Sequence, residues 1–192
     1  MSPGPTGSVR PVRWKVHGER TIYDSPWVRL TLVDVEPPGA ARFEHHVTRL
    51  RPAAGCVIES ATDGFLLLWR HRFITDSWGW EIPAGRVDEG EEPLEAAARE
   101  AFEETGWRPG PLRPFVTFNT ANGLTDQRFF VYATDSAEHV GDPHDPFESE
   151  RIEWVSRDRL RTEIEAGRVP DGPSLLALTY ALAGFAPNTG DT

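Results

Sequence analysis

The sequence predicts an α/β fold, and three observations support this expectation. Short apolar runs of strand length occur both before and after one acidic helical segment. A helical pattern also fills the C-terminal part of the chain. The length of 192 residues, of which 39% are hydrophobic, suits one domain with modest extensions.

Composition narrows the classes of function. The chain has 30 acidic and 20 basic residues, and its net charge of −10 argues against binding to nucleic acid or to an anionic membrane. Cys56 is the single cysteine, so no internal disulfide can form, and its apolar setting predicts a buried thiol. Because no cationic leader and no membrane-length apolar run is present, we expect a cytoplasmic protein.

The N-terminal part divides into two segments. Residues 1–13 are rich in proline, glycine and serine, which predicts a disordered arm. Residues 14–49 contain three strand-like runs, WKVHGERTIYD, WVRLTLVDVEPPG and RFEHHVTRL.

The strands continue into the centre of the chain. The runs AAGCVIES and FLLLWRHR are separated by a turn signal at Thr62-Asp63-Gly64. WGWEIPAG leads into the acidic segment, and WRPGPLRPFVTF and RFFVYATD follow it as further strands. The C-terminal text predicts two helices separated by a glycine-containing break, and residues 187–192 are predicted to be a frayed tail.

The acidic segment carries the signals of a helix. Pro93 suits a first helical turn, and Gly106 suits the position just past the end. Leu94, Ala98, Ala101 and Thr105 recur at helical spacing and predict a small apolar face.

Glu100, Glu103 and Glu104 share another face of this helix. Like charges at these spacings oppose one another by a few tenths of a kcal/mol per pair, roughly, on an open surface. Arg99 can offset only part of this repulsion. Three carboxylates on one turn are typical of a site for a hard divalent cation, and the alternative is a solvated acidic surface.

The spacing of this segment is specific. It has glycine, five residues, glutamate, seven residues, and then Arg-Glu, an apolar residue, any residue, Glu-Glu, any residue, glycine and an apolar residue. The fixed positions are Gly85, Glu91, Arg99, Glu100, Ala101, Glu103, Glu104, Gly106 and Trp107. This pattern resembles the signature of the Nudix hydrolases. The resemblance implies a three-layer α/β/α sandwich with a mixed sheet over residues 50–186, plus a small N-terminal antiparallel sheet.

The resemblance also implies a metal site. Nudix enzymes cleave nucleoside diphosphates linked to another moiety, using Mg2+ or Mn2+. Carried over by position, the metal ligands are Glu100, Glu103, Glu104 and the backbone carbonyl of Ala84. Glu91 and Arg99 are then expected to orient the carboxylates. Gly85 is expected to let the loop pass close to the metal and the phosphates.

A second stretch resembles one branch of the family. LLLWRHR followed by WEIPAGRVDEGE is similar to the ADP-ribose pyrophosphatases. Arg70 and Arg72 are therefore candidate phosphate or ribose contacts, with surface ion pairs as the alternative, and Glu81 is a candidate substrate or structural partner. Trp27, Trp78 and Trp80 are candidates for stacking on adenine, Trp27 being preferred, although most tryptophans are core residues.

Glu148 and Glu150 precede the strand-like run IEWVS. In the ADP-ribose branch, a Glu-x-Glu at this place resembles the pair that closes over the pyrophosphate. Glu148 is the preferred base and Glu150 the preferred additional metal contact, while an acidic surface loop is the alternative. The branch commonly has a proline in the loop where this chain has Ala121 and Asn122, and this departure leaves the substrate open.

The expected function is metal-dependent hydrolysis of ADP-ribose or a related nucleoside diphosphate sugar to a nucleoside monophosphate and a sugar phosphate. A dinucleoside polyphosphate or a pathway-specific pyrophosphate is an alternative substrate, and an ADP-ribose sensor without turnover is an alternative class. Glu104 and one of Glu148 and Glu150 are expected to carry catalysis. The resemblance also predicts that residues 14–49 form a homodimer, unless they extend the central sheet.

Overall fold

The computed structural model describes residues 12–144 and 149–188. It contains two compact units, one formed by the chain up to Leu50 with Gly123–Thr125, the other by Arg51–Asn122 and the residues from Asp126 onward. The predicted arm at 1–13 and the predicted tail at 187–192 fall largely outside the described residues. No helix among the described residues is long and apolar enough to span a membrane.

The N-terminal unit is a small antiparallel sheet of β1 (Lys15–Asp24), β2 (Arg29–Glu36) and β3 (Phe43–Arg49), in the order β1-β2-β3. The middle strand carries its core, because Thr31, Leu32, Val33 and Val35 are buried. Almost every residue of β1 is exposed. The expected small N-terminal sheet is therefore confirmed.

The second unit is built on a mixed sheet, as expected. The strands of this unit are β4 (Ala53–Ser60), β5 (Gly64–Arg72), β6 (Ser77–Glu81), β7 (Ala84–Arg86), β8 (Trp107–Pro109), β9 (Arg113–Asn119), β10 (Arg128–Thr134), β11 (Ala137–His139) and β12 (Arg151–Val155). The strand path is β12-β5-β4-β10-β9, with β6 paired to β5 and β7 paired to β4. Strand β10 runs parallel to β4, whereas β9 is antiparallel to β10 and β5 is antiparallel to β12. A separate short pair is formed by β8 and β11.

Helices cover both faces of this sheet. On one face, Ala53 and Val57 of β4 belong to a core that includes residues of α2 (Arg157–Glu165) and α3 (Gly172–Ala183). On the other face, Cys56 packs in a cluster with a residue of α1 (Pro93–Thr105). Neighbouring residues of β4 thus enter opposite cores, which explains why this strand is apolar without alternation. The architecture is the expected three-layer sandwich, and Cys56 is buried as predicted.

Helix α1 begins and ends where the sequence indicates. Pro93 stands in its first turn, and Gly106 ends it in the left-handed conformation with φ 73°. The predicted apolar face is only partly correct, because Leu94 is 40% exposed. The buried residues of α1, which include two of the predicted face, are mostly small and let the helix lie close to the sheet, but one of them carries a carboxylate. They are Ala96, Ala97, Ala101, Glu104 and Thr105.

A substitution at Gly106 tests how closely the end of α1 packs against Gly141. An alanine there would need the same positive φ, and its Cβ would lie 1.9 Å from the carbonyl oxygen of Gly141. We expect Gly106→Ala to lower the free energy of unfolding by at least about 2 kcal/mol in urea denaturation.

Gly167, just past α2, is the matched control for Gly106. It has φ 71°, and a Cβ there would meet no described atom within 4 Å. Gly167→Ala should therefore cost only the conformational strain, about 1 kcal/mol. Equal losses for the two variants would contradict the close approach to Gly141.

Candidate active site

The three glutamates of α1 differ in their exposure to solvent. The side chain of Glu103 is 37% exposed, that of Glu100 is 16% exposed and that of Glu104 is 6% exposed. They lie on one side of the helix, and their exposure to solvent decreases from Glu103 through Glu100 to Glu104. A simple solvated acidic surface does not account for Glu104.

Both oxygens of the buried Glu104 carboxylate accept hydrogen bonds. Arg70 on β5 donates from Nη1 to Oε1 at 2.8 Å, and the backbone N–H of Ala84 on β7 donates to Oε2 at 2.9 Å. Burial raises the pKa of Glu104 to about 7, while the positive charge of Arg70 and the two hydrogen bonds act in the opposite direction. This carboxylate therefore ties α1 to two strands.

Glu100 lies directly against the backbone at Gly85. A Cβ at Gly85 would be 2.1 Å from an oxygen of this carboxylate. The glycine of the signature is therefore needed here for close approach, because a larger residue would displace the carboxylate.

Arg99 connects the outer carboxylates. It donates two hydrogen bonds to Glu91, Nε to Oε1 at 2.8 Å and Nη2 to Oε2 at 3.0 Å. Its Nη1 donates to Glu100 at 2.8 Å and to Glu103 at 3.0 Å. The bond from Arg99 lowers the pKa of Glu91, and the bond to Glu91 raises the pKa of Arg99. Arg99 thus balances the charge of three carboxylates, which is more than its spacing along the helix suggests.

The candidate substrate residues on β5 and β6 form a second ionic group. Arg72, whose side chain is 52% exposed, donates to both oxygens of the buried Glu81. The bond to Glu81 raises the pKa of Arg72. Arg70 is only 4% exposed, so the alternative of a surface ion pair is wrong for this residue. Its burial also leaves little of its surface for a substrate.

The strand pattern contained a signal for this buried pair. Leu66, Leu68 and Arg70 alternate on one face of β5, and both leucines are fully buried. An arginine that continues such a face needs a buried anion as partner. The sequence does not identify that partner as Glu104, which lies 34 residues away.

The candidate tryptophans are in different environments. Trp27, in the turn between β1 and β2, is 69% exposed, and Trp78 is 48% exposed. Trp80 is 1% exposed and belongs to the main core, so it cannot stack on a substrate.

Of the two candidate glutamates before β12, only Glu150 lies in the part of the chain that the structure describes. Glu148 lies outside the described residues. Glu150 is exposed, and its backbone N–H donates to the carbonyl of Trp69 on β5 at 2.9 Å, just before β12 begins. Glu150 is thereby anchored through its main chain at the edge of β5.

Carboxylate oxygens are suitable ligands for Mg2+ or Mn2+, and Gly85 provides space for Glu100 beside the backbone. Among residues 12–144 and 149–188, however, no three side chains of His, Cys, Asp or Glu form a ready-made ligand group. Arginine or backbone donors contact each of the three glutamates, so a cation would share their oxygens with these donors.

Comparisons with known proteins show which proteins this chain resembles. A family model of the NUDIX domain matches residues 49–177. The CMP-5'-(N-acetyl-N-hydroxy-3-aminopropyl)phosphonate hydrolase of Streptomyces rubellomurinus is 37% identical over 171 residues, which are 89% of this chain and 83% of that protein. The ADP-ribose pyrophosphatase of Bacillus subtilis is 26% identical over 170 residues, which are 86% of this chain and 91% of that protein.

A solved structure supports the fold. The crystal structure of an ADP compounds hydrolase superposes with a TM-score of 0.75 at 20% identity and covers 92% of this chain and 96% of that chain. The family match spans more than half of the chain and includes the whole signature. The chain therefore belongs to the Nudix family, and it resembles the ADP-ribose pyrophosphatase branch of that family.

Proposed function

We propose that the protein is a metal-dependent pyrophosphohydrolase acting on ADP-ribose or a related nucleoside diphosphate sugar. The main observation in favour is the graded row of Glu100, Glu103 and Glu104, held by Arg99 on the exposed side and by Arg70 on the buried side. Such a row places concentrated negative charge at a site that would repel a diphosphate. A bound cation removes this conflict.

The proposed ligands of Mg2+ or Mn2+ are the three glutamates and the carbonyl of Ala84. When bound, the cation supplies positive charge that holds phosphate oxygens and offsets the charge of the leaving phosphate. Arg99 orients Glu100 and Glu103, while Glu91 fixes Arg99 from the other side.

The reaction needs a water molecule and a base. Water attacks one phosphorus, the bond from that phosphorus to the bridging oxygen breaks, and the second phosphate leaves with that oxygen. Glu148 or Glu150 is proposed to take the proton from the water. Glu150 has a suitable anchor, because its main chain is bonded to β5 while its side chain is exposed.

For substrate binding we propose Arg72, Glu81 and Trp27. Arg72 is half exposed, and its guanidinium can contact a phosphate while Glu81 holds it in place. Trp27 presents a large exposed ring, as stacking on a base requires. The contact first expected from Arg70 is assigned to Arg72 alone, because Arg70 is buried.

A second substrate class is favoured by one observation. The relative named as a hydrolase of a CMP-linked phosphonate is 37% identical, whereas the Bacillus subtilis ADP-ribose pyrophosphatase is 26% identical. A cytidine nucleotide joined to a phosphonate is therefore the alternative substrate. The same group of carboxylates would serve either, since both substrates carry a nucleotide attached to a second phosphorus group.

Product analysis tests the function directly. The protein is incubated with Mg2+ and ADP-ribose, UDP- and GDP-sugars, a diadenosine polyphosphate, or a CMP-linked phosphonate, with a chelator in parallel. We expect ADP-ribose to give AMP and ribose 5-phosphate fastest, and the chelator to stop the reaction. Glu104→Gln is expected to remove at least about 99% of activity, since loss of a charge-stabilising group typically costs factors of about a hundred or more.

Other outcomes of this assay are equally informative. Faster cleavage of the CMP-linked phosphonate would support the second substrate class. Tight binding of ADP-ribose with no product over hours would support a sensor and contradict an enzyme. More than about a tenth of wild-type activity in Glu104→Gln would remove Glu104 from the proposed ligand set.

Gly85 gives a separate test of the metal site. In Gly85→Ala the new Cβ must displace the flexible end of Glu100, so we expect an Mn2+ affinity at least about tenfold weaker with little change in stability. Gly172→Ala is the control, because a Cβ there meets no described atom within 4 Å and the Mn2+ affinity should not change. An unchanged affinity in folded Gly85→Ala would exclude Glu100 as a ligand.

We also propose that the protein is a homodimer formed through the N-terminal unit. The first strand is exposed along its length, and the unit carries uncovered apolar side chains that include Val16 (63% exposed), Ile22 (43%) and Tyr23 (57%). The cytoplasmic location expected from the sequence stays a prediction.

Light scattering measures the mass that decides the oligomeric state. We expect twice the mass of the chain, and a shift towards the monomer in Val16→Glu, because a charge is costly in an apolar interface. Lys15→Glu, at the neighbouring exposed position, is the control and should remain a dimer. A monomeric wild-type protein would contradict this proposal.

A further inference from the structure

Arg70 is a buried guanidinium behind the row of glutamates. It lies on β5, outside the Nudix signature, and its side chain is 4% exposed. Nη1 donates to Glu104 at 2.8 Å, and Nε lies 3.7 Å from Oε2 of Glu81, which is too long for a hydrogen bond.

Two nitrogens of Arg70 are not satisfied. Nε and Nη2 are buried and have no hydrogen-bond partner among the described residues. Buried donors without partners lower stability, so packing alone would favour an apolar side chain of similar length here. Within the part of the chain that the structure describes, the one hydrogen bond of this guanidinium goes to Glu104. The contact with the Glu104 carboxylate therefore indicates what Arg70 does.

We propose that Arg70 is a positioning residue that fixes Glu104 for a divalent cation. This inference rests on the metal role given to Glu104 in the proposed function. Arg70 holds Oε1 and the N–H of Ala84 holds Oε2, so the carboxylate cannot rotate. Each oxygen has a second lone pair, which remains free to contact a cation.

Two arginines contact the three glutamates from different sides. Arg99, which belongs to the signature, contacts Glu100 and Glu103 from the more exposed side. Arg70 contacts Glu104 from inside, where water cannot orient or stabilise the carboxylate. Without Arg70, one oxygen of Glu104 loses its donor and the carboxylate can turn away from the other two.

The test is a double-substitution cycle on Mn2+ binding, measured without substrate by electron paramagnetic resonance on the full chain. We expect Arg70→Met to weaken Mn2+ binding by about 10- to 100-fold, as is typical when a residue that orients a metal ligand is lost. Arg70→Lys keeps the charge and should recover part of the affinity. In the Glu104→Gln background, Arg70→Met should change the affinity less than about twofold.

Arg157→Met is the matched control for losing an arginine. Arg157 also forms an ion pair in this unit, with Glu59, and it donates to the carbonyl of Ala181 on α3. We expect this variant to melt at a lower temperature while its Mn2+ affinity equals that of the wild type. A purely structural role of Arg70 would give the same result for Arg70→Met.

The inference is overturned if folded Arg70→Met binds Mn2+ as tightly as the wild type or more tightly. An equal loss in the Glu104→Gln background would also overturn it, because Arg70 would then not act through Glu104. If Arg70→Met does not fold, Arg70→Gln, which keeps an NH2 donor group without the charge, is carried through the same cycle. This test measures Mn2+ binding and not turnover, so a failure to hydrolyse ADP-ribose would leave its result unchanged. If the protein hydrolyses ADP-ribose but Arg70 and Glu104 are not coupled in Mn2+ binding, only this inference is overturned.

Discussion

The burial of the Glu104 carboxylate is the constraint on which the rest of the site depends. A charged group inside a protein needs both an opposite charge and hydrogen-bond donors. Arg70 supplies the charge from β5, and the N–H of Ala84 supplies a donor from β7. Breaking a buried pair by removing one partner typically costs about 3–5 kcal/mol. The helix α1 and the strands β5 and β7 are thus held in one arrangement by a single side chain.

The remaining charges follow from this arrangement. Once Glu104 is fixed, Glu100 and Glu103 lie on the same side of α1. Arg99 donates to both of them, and Glu91 accepts from Arg99 in turn. Alanines at the other buried positions allow α1 to lie against the sheet. The small residues let the helix lie close to the sheet, and this close packing brings the Glu100 carboxylate against the backbone at Gly85.

Chemistry and specificity have different physical origins in this protein. The row of carboxylates can hold positive charge beside any diphosphate, so it does not select the organic group attached to it. Relatives named for different substrates accordingly match this chain over most of its length. We propose that selection depends on exposed groups such as Arg72, Trp27 and the loop at Ala121–Asn122, since binding groups commonly lie on exposed parts of a fold.

The sequence by itself determined the fold class, the limits of α1 and the set of candidate ligands. These depend on local rules, since caps, strand alternation and the spacing of the signature are all read within short windows. Only the tertiary structure decided that Glu104 lies on the packed face, that Leu94 does not, that Trp80 belongs to the core and that Arg70 faces Glu104. These outcomes depend on which strand lies beneath which helix turn, and pairing across 34 residues is set by packing rather than by sequence spacing.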